Sequence, residues 1–558
     1  MRARTLGIGL GLAAAAAGVA TYGVWQAAQK LRAGFEPKIR EEAIRYLSER
    51  FNADVDLADI AVDLPALSSW KLWRDKGRGS IARIRATGLK IAPKGQPDLP
   101  PLLKVQRFST SIDLGIVMAA ERHIQLVELD GVEIVIPPKG QRSHIQLHAA
   151  KEKSKPAEPQ GFTNQAMEAA KSTVTRSIPP APASSIVFDT IHMRNSRLTI
   201  LPRQRDRVPL DFRLDDVKLT SAGLGRPMNY VATLHNPKPP GDIHSTGQFG
   251  PWNSDEPGDS PLSGKYEFVK ADLGVFKAIG GILHSTGTFK GTLDSVEATG
   301  EARVPNFQLK RARHGMPLTT RFSVLVDGTN GNTILRPVRA RLGTTEFTTS
   351  GAIVKREKAG RRSIRLSVNV PAGEIADFLQ LAIPRDPFLK GTVLLKFTID
   401  VPPLDGKVVE KLILDGTFAL EHAKFLQAAA AEKVTELSER GQGHPGVSLG
   451  ETFSQMRGSF HMEDQTIQFR QLKFGVPGAR VDLIGSYDID DDKLDFHGSL
   501  ALDAKISKTL TGWKRWAAKP LDPFFAKNGA GTFLKIQVVG SAKQPSFGLD
   551  KQQKEKSK

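Results

Sequence analysis

His123–Lys139 reads HIQLVELDGVEIVIPPK, and Ser185–Arg203 reads SIVFDTIHMRNSRLTILPR. In both, apolar and polar residues alternate on either side of a central turn signal, and a proline-basic step closes the segment. A two-residue period is the mark of a strand with one buried face, and its recurrence marks a repeated unit. Asp130-Gly131, between IQLVEL and VEIVI, predicts a tight hairpin, since glycine reaches the positive φ such turns need.

The same rhythm extends in both directions. Val55 and Leu57, then Ile60, Val62 and Leu64, alternate with polar residues, and further strands are predicted over Ile81–Ile91 and Val105–Leu114. Ahead of them Glu36-Pro37 opens a helix, proline being harmless in a first turn. Its apolar stripe is Ile39, Ala43, Tyr46, Leu47 and Phe51. From Pro137 to Ser185 the pattern lapses into Pro, Lys, Glu, Ser and Ala, which reads as a linker with a short helix over Gln165–Thr173.

Beyond residue 240 a Gly-x-aromatic or Gly-x-aliphatic step recurs. It appears as Gly247/Phe249, Gly264/Tyr266, Gly287/Phe289, Gly351/Ile353, Gly416/Phe418, Gly458/Phe460, Gly485/Tyr487 and Gly531/Phe533. These glycines either sit inside strands, where they would bend the sheet into a trough, or form hairpin turns. Helices are expected over Leu273–Leu283, Gly373–Ile383, Glu421–Arg440 with Gly441 as its cap, and Ile506–Ala517, as covers over apolar sheet.

Leu6–Gln29 is an uncharged run of 24 residues, about 36 Å as a helix and enough for a hydrocarbon core of roughly 30 Å. Arg2 and Arg4 before it give a modest bias toward an N-terminus-inside orientation, with the body outside the cytoplasm. A cleaved signal peptide, using small residues such as Gly18 and Ala20, is the other reading. The absence of cysteine fits export without disulfides. The net charge of +19 admits an anionic partner, and Lys310–Arg365 alone holds 13 Lys/Arg against Asp327, Glu346 and Glu357, a stretch that also reads as solvated strand faces and turns. With no nucleic-acid-binding motif, anionic lipid headgroups are the better counter-charge.

No Walker loop, HExxH, GxSxG or CxxC is present. GDSP at Gly258–Pro261 lacks the leucine and the strand-to-helix setting of an esterase box. His-Ser-Thr-Gly occurs twice, at His244 and His284, and both copies read as turns before a strand. Asp488, Asp490, Asp491 and Asp492 lack the glycine and closing glutamate of a calcium loop and read as a solvated hairpin tip. The expectation is a non-enzymatic chain with no cofactor and no metal.

The anchor, FEPKIREEAIRYLSERFNADVDLADIAV, the segment HIQLVELDGVEIVIPP and the closing GAGTFLKIQVVGSAKQPSFGLD, in this order, resemble the AsmA-like family of bacterial envelope proteins. GPWNSDEPGDSPLSGKYEFVKADLGVFKAIGGILHSTGTFKGTLDSVEATG and LSERGQGHP are similar to one bacterial subgroup of it. The resemblance covers nearly the whole chain. It implies an inner-membrane-anchored, single-pass periplasmic protein with a chorein-like N-terminal part and a β-groove, related to TamB and to bridge-like lipid-transfer proteins, and it carries over no catalytic residue. The expected organisation is an anchor over 1–29, an AsmA/chorein-like part over 30–140, a linker over 141–185, a repetitive β-groove over 186–550 and a basic tail over 551–558.

The expected fold class is therefore mainly β, an elongated, curved antiparallel groove with a few short helices behind one transmembrane helix. An acyl chain of ~16 carbons exposes about 13 kcal/mol of hydrocarbon to water at ~0.8 kcal/mol per CH₂, and an apolar trough lowers that barrier. Candidate lining residues are Val55, Leu57, Ile60, Val62, Ile134, Ile136, Leu198, Ile200, Phe249, Phe268, Phe289, Phe418, Phe460 and Phe533. Candidates for headgroup or membrane contact are Arg311, Arg313, Arg361, Arg362, Trp513 and Trp516. The expected partners are phospholipid or another acyl lipid, the membrane and envelope proteins, not nucleic acid. The alternative function is a scaffold for outer-membrane protein assembly by β-strand addition.

Overall fold

The computed structural model describes residues 36–51, 53–63, 81–94, 100–113, 122–136, 186–201, 209–223 and, with short breaks, 226–550. The Leu6–Gln29 run, the 141–185 linker with its expected helix, and the 551–558 tail lie outside the described residues. No helix among the described residues is long and apolar enough to cross a membrane. The described chain is mainly β, with 25 strands in a mostly antiparallel open sheet and a few short helices. It divides into two compact units.

The first unit holds the described residues up to Pro237 together with parts of the next strands. Helix α1 (Glu36–Phe51) forms where its stripe predicts and buries Ala43 and Leu47. Strands β1 (Ala53–Asp56) and β2 (Asp59–Asp63) both pair with the long β3 (Ile81–Pro93), leaving Leu57 to bury itself between them. β4 (Leu103–Asp113) and β5 (Arg122–Ile136) continue the antiparallel order. β6 (Ile186–Ile200), β7 (Leu210–Gly223) and β8 (Met228–Pro237) belong to this unit as well.

Asp130-Gly131 does not close a hairpin. β5 runs straight through it, and β5 pairs with β6 in parallel at a constant offset of 64 residues. The two echoing segments thus lie side by side, with Asp130 opposite Arg194 and Ile134 opposite Leu198. At the centre of each stands a left-handed residue, Gly131 at φ 65° and Asn195 at φ 50°. The conformation that suits a turn serves here as a kink inside a strand, which leaves the chain direction unchanged.

The kinks are tied together by polar side chains. Asn195 Nδ2 donates to Asp130 Oδ1 at 2.8 Å, Val132 N donates to Ser196 Oγ at 3.2 Å, and Arg107 grips the other oxygen of Asp130. The hydrogen bond from Asn195, then that from Arg107, holds the Asp130 carboxyl below its ordinary range.

β9 (Pro240–Phe249), β10 (Pro261–Asp272), β11 (Ile279–Gly280) and β12 (Ile282–Thr292) follow, and the second unit takes most of what remains. Its strands are β13 (Ser295–Leu309), β14 (Met316–Val326), β15 (Thr333–Leu342), β16 (Thr345–Lys355) and β17 (Arg362–Glu374), then β18 (Leu389–Val401) and β19 (Ile413–Phe425). β20 (Ser454–Glu463), β21 (Thr466–Val476), β22 (Ala479–Asp488), β23 (Lys493–Leu502), β24 (Thr532–Ser541) and β25 (Pro545–Leu549) complete it. From β13 to β25 each strand pairs antiparallel with the next.

Three of the four helices expected here differ from the reading of the sequence. Leu273–Leu283 is a single 3-10 turn, Leu273–Val275, started by the Asp272 carboxylate accepting from Gly274 N. After that turn Ile279-Gly280 pairs with β13, and Gly281, at φ 121°, bends the chain into β12. Glu421–Phe425 belongs to β19, so the helix there, α3, is Ala428–Gln442 and is capped by left-handed Gly443 rather than Gly441. Ile506–Ala517 is divided at Gly512, φ 64°, into a 3-10 turn, Ile506–Thr509, and α4, Trp513–Ala518, with α5, Asp522–Phe525, beyond it.

The fourth, α2 (Ile375–Ala382), forms within Gly373–Ile383 as expected. It is pinned at its N-terminal turn, where the Asp377 carboxylate accepts from Thr344 N at 3.0 Å and from the Thr344 and Thr345 hydroxyls at 2.8 Å.

The left-handed centre of β6 gives a direct test. Asn195→Val should cost about 2–3 kcal/mol, from a β-branched residue at positive φ and a lost hydrogen bond. Asn195→Gly keeps the backbone and should cost about 1 kcal/mol. Urea denaturation of the two variants measures both.

Candidate functional site

In the second unit the registers align side chains into rows across strands, because directly paired residues share a face. From β17 to β25 one row runs Val368, Phe397, Gly416, Phe460, Phe469, Gly485, Phe496, Val538 and Phe547. The row on one side of it runs Val370, Leu395, Phe418, Gly458, Leu472, Leu483, Gly498, Ile536 and Leu549. The row on the other side runs Leu366, Ile399, Leu414, Met462, Ile467, Tyr487, Leu494, Gly540 and Pro545. None of the three contains a charged side chain. Nine strands at ~4.8 Å make this face about 40 Å wide.

The recurring Gly-x-aromatic step is what locks the rows. On β19 and β20 the motifs interlock reciprocally, with Gly416 opposite Phe460 and Phe418 opposite Gly458. Each ring lies across the glycine of the other strand, and a Cβ on Gly416 would stand 2.6 Å from Phe397 Cβ and 2.8 Å from Phe460 Cζ. Phe418 also meets Phe460 and Phe469 at 6.4 Å between centroids, and Phe469 meets Phe496 at 5.6 Å. Seven of the eight motif glycines lie within strands; Gly531 stands just before β24. The hairpin-turn reading of these glycines is therefore set aside.

This face is half-buried over most of its extent, unlike a core. Phe397, Phe418, Phe460 and Phe469 all retain solvent exposure, whereas Val368, Val370, Met462 and Phe496 are buried. Helices pack along one margin, and α3 also brings Lys433 Nζ to 5.5 Å from the centre of the Phe547 ring. α2 packs Ile375, Phe378 and Leu379 on Leu389, Val393 and Leu420, and α3 packs Val434 and Leu437 on Val476, Ala479 and Leu502. At the β25 edge the rows end in the open, with Phe547 62% and Leu549 58% exposed. A sizeable apolar surface left in water is the informative exception in a folded chain.

The opposite face is polar. Arg365 pairs with Asp400, Lys473 with Asp482, and His461 with Asp415 and Glu463. His497 bridges Asp550 and Asp495 at 3.1 Å each. Hydrogen bonds donated by the imidazoles to these carboxylates, Asp415 and Asp550 foremost, raise the pKa of both histidines.

The sequence-derived candidates separate by unit. Leu57, Ile60, Ile134 and Leu198 are buried in the first unit's core with Ile84, Ile91 and Leu103, and Val55 and Val62 pack against it. The first four fill an interior there, and Val55 and Val62 stay partly exposed beside it. Ile136 and Ile200 end β5 and β6, with side chains outside the described set. Phe249 is buried, Phe268 and Phe289 are half-buried, and Phe289 packs against Tyr266. Phe418 and Phe460 stand in the rows, whereas Phe533 pairs with Ala501 on the opposite face beside Lys535. Arg311, Arg313 and Arg361 lie outside the described residues; Arg362 and Trp513 open β17 and α4, their side chains outside the described set. Trp516 is exposed.

The two His-Ser-Thr-Gly copies are strand residues of β9 and β12, not turns. Ser245 meets Tyr230 and Ser285 meets Tyr266, each hydroxyl pair at 3.1 Å. A tyrosine on a strand ahead of each copy, 15 residues before Ser245 and 19 before Ser285, is the signal that sequence reading missed. In a strand, neighbouring His and Ser point to opposite faces, so no nucleophile-base dyad forms. His244 accordingly turns to Thr233. Asp488 accepts from the backbone of Asp490 and Asp491 in a hairpin tip, and no metal-binding cluster occurs among the described residues.

Two predictions follow from these faces. Gly416→Val forces an isopropyl group into the Phe397–Phe460 contact and should cost about 2–3 kcal/mol, while Thr417→Val on the exposed face should stay within about 0.5 kcal/mol, by denaturant unfolding. The raised histidine pKa contributes stability that is complete below the unfolded value near 6.5 and is lost as pH rises through the higher folded value. The melting-temperature advantage of the wild type over His497→Gln should therefore shrink as pH rises above about 6.5.

No protein-family model, curated protein or solved structure matches this chain.

Proposed function

We propose that this chain is a non-enzymatic, inner-membrane-anchored periplasmic protein of AsmA-like type that holds phospholipid acyl chains against the apolar face of its second unit, assisting lipid passage or envelope lipid balance. The observation that supports this is the set of three uncharged rows, half-exposed from β17 to β25. An acyl chain of ~16 carbons lying on such a face, with about half its surface covered, gains roughly 6 kcal/mol at ~0.8 kcal/mol per CH₂. That is enough to hold a lipid and small enough to release it. Headgroups stay in water, so the face needs no polar recognition.

A second reading is favoured by the edge. β25 is five residues long, exposed throughout, and pairs on one side with β24. Such an edge accepts an added strand from a partner, as an assembly scaffold would use it.

Mass spectrometry of the full chain extracted in mild detergent should find co-purified phospholipid, reduced several-fold by Phe418→Asp or Phe289→Asp; a wild-type chain free of lipid ends the acyl-binding reading. Photo-crosslinkers at Phe418 and Phe547 separate the two functions. Lipid adducts at Phe418 support the first, and protein adducts confined to Phe547 support the second.

A further inference from the structure

Between β23 and β24 the chain leaves the sheet for a knot of short helical turns, 503–526, at the strand ends beside the C-terminal end of α3. Its inner side is well anchored. Ser507 N and Oγ donate to the two carboxylate oxygens of Asp522 at 2.9 Å, Ala504 N donates to Gly441 O, and Ala518 is buried. The outer side is unlike the rest of the surface. Trp516 is 70% exposed and Leu521 47% exposed, and Lys505, Lys508, Lys514 and Lys519 are exposed around them.

The charge is one-sided. Over 503–527 the sequence holds six Lys/Arg against Asp503 and Asp522. Asp522 is occupied by Ser507, and Asp503 pairs with Arg480. Lys519 Nζ sits 4.1 Å from the centre of the Trp516 ring, so an ammonium and an indole project together. An amphipathic ring and an aliphatic tip among exposed lysines suit the headgroup boundary of a bilayer. Flexible lysines take phosphates as point charges, each worth about 1 kcal/mol near an anionic surface. A protein partner would instead call for a larger continuous apolar patch.

We propose that the 503–526 segment is a membrane-docking surface that seats Trp516 and Leu521 in the interface of an anionic phospholipid bilayer. The inference stands whether or not the sheet face holds acyl chains.

The chain contains no cysteine, so Leu521→Cys gives a single site for a polarity-sensitive fluorophore on the full-length protein. With vesicles of equal phosphatidylglycerol and phosphatidylcholine, the label at position 521 should brighten several-fold and shift to the blue. A label at Thr417→Cys, on the polar sheet face, should not respond. Attachment of the chain through Leu6–Gln29 alone leaves a label at 521 in water, so the local signal is the diagnostic one. Trp516→Glu, and separately Lys514→Glu with Lys519→Glu, should abolish the response while the melting temperature stays at the parent value. A label that remains water-like on vesicle-bound protein overturns the proposal. An equal response to pure phosphatidylcholine vesicles, untouched by the lysine reversals, overturns it as well.

Discussion

A phenyl ring laid across a glycine on the neighbouring strand is the contact on which the second unit depends. In a sheet a slip of one residue turns every side chain to the other face, so an uncharged face exists only while every register holds. Gly416 and Phe460, with Phe418 and Gly458, supply that restraint in both directions at once. Any larger residue at the glycine collides with the ring or with the adjacent backbone, and any shift of the strand leaves the ring without its seat. The motif is thus a register device first, and the apolar surface is what it preserves.

The same alternation is put to a different end in the first unit. There the inward positions are branched aliphatics such as Ile84, Ile91, Leu103, Ile124 and Val132, all essentially without solvent contact, and α1 adds Ala43 and Leu47 to them. Branched side chains interdigitate into a closed interior at crystal-like density. Flat rings alternating with glycine tile a surface instead. Composition at the inward positions, more than strand length or number, distinguishes a filled unit from one that keeps an open face.

Much of this was legible from residue spacing. The strands over Ile81–Ile91, Val105–Leu114 and Ile124–Ile136, the opening helix and the in-strand alternative for the glycines are all present in the fold. The failures share a cause, which is that left-handed residues serve several local structures. Asp130-Gly131 has turn chemistry but sits in a strand whose partner, β6, arrives from 64 residues away. Gly281 and Gly512, both at positive φ, cut apolar stretches that otherwise carry helical spacing. Faces were less legible than strands. Phe533 follows the same motif as Phe418, yet Gly531 lies ahead of its strand, so the ring turns to the polar side. The rows themselves are a property of pairing, which no single strand contains.

The parallel union of β5 and β6 carries a covalent obligation. Two strands pointing the same way cannot be joined by a short turn, so the chain that leaves Ile136 must travel back the full extent of a fifteen-residue strand, about 50 Å, before it re-enters at Ile186. Ile136 and Ile186 therefore stand at opposite ends of the pair, and the register of β5 on β6 alone fixes the span between those two points.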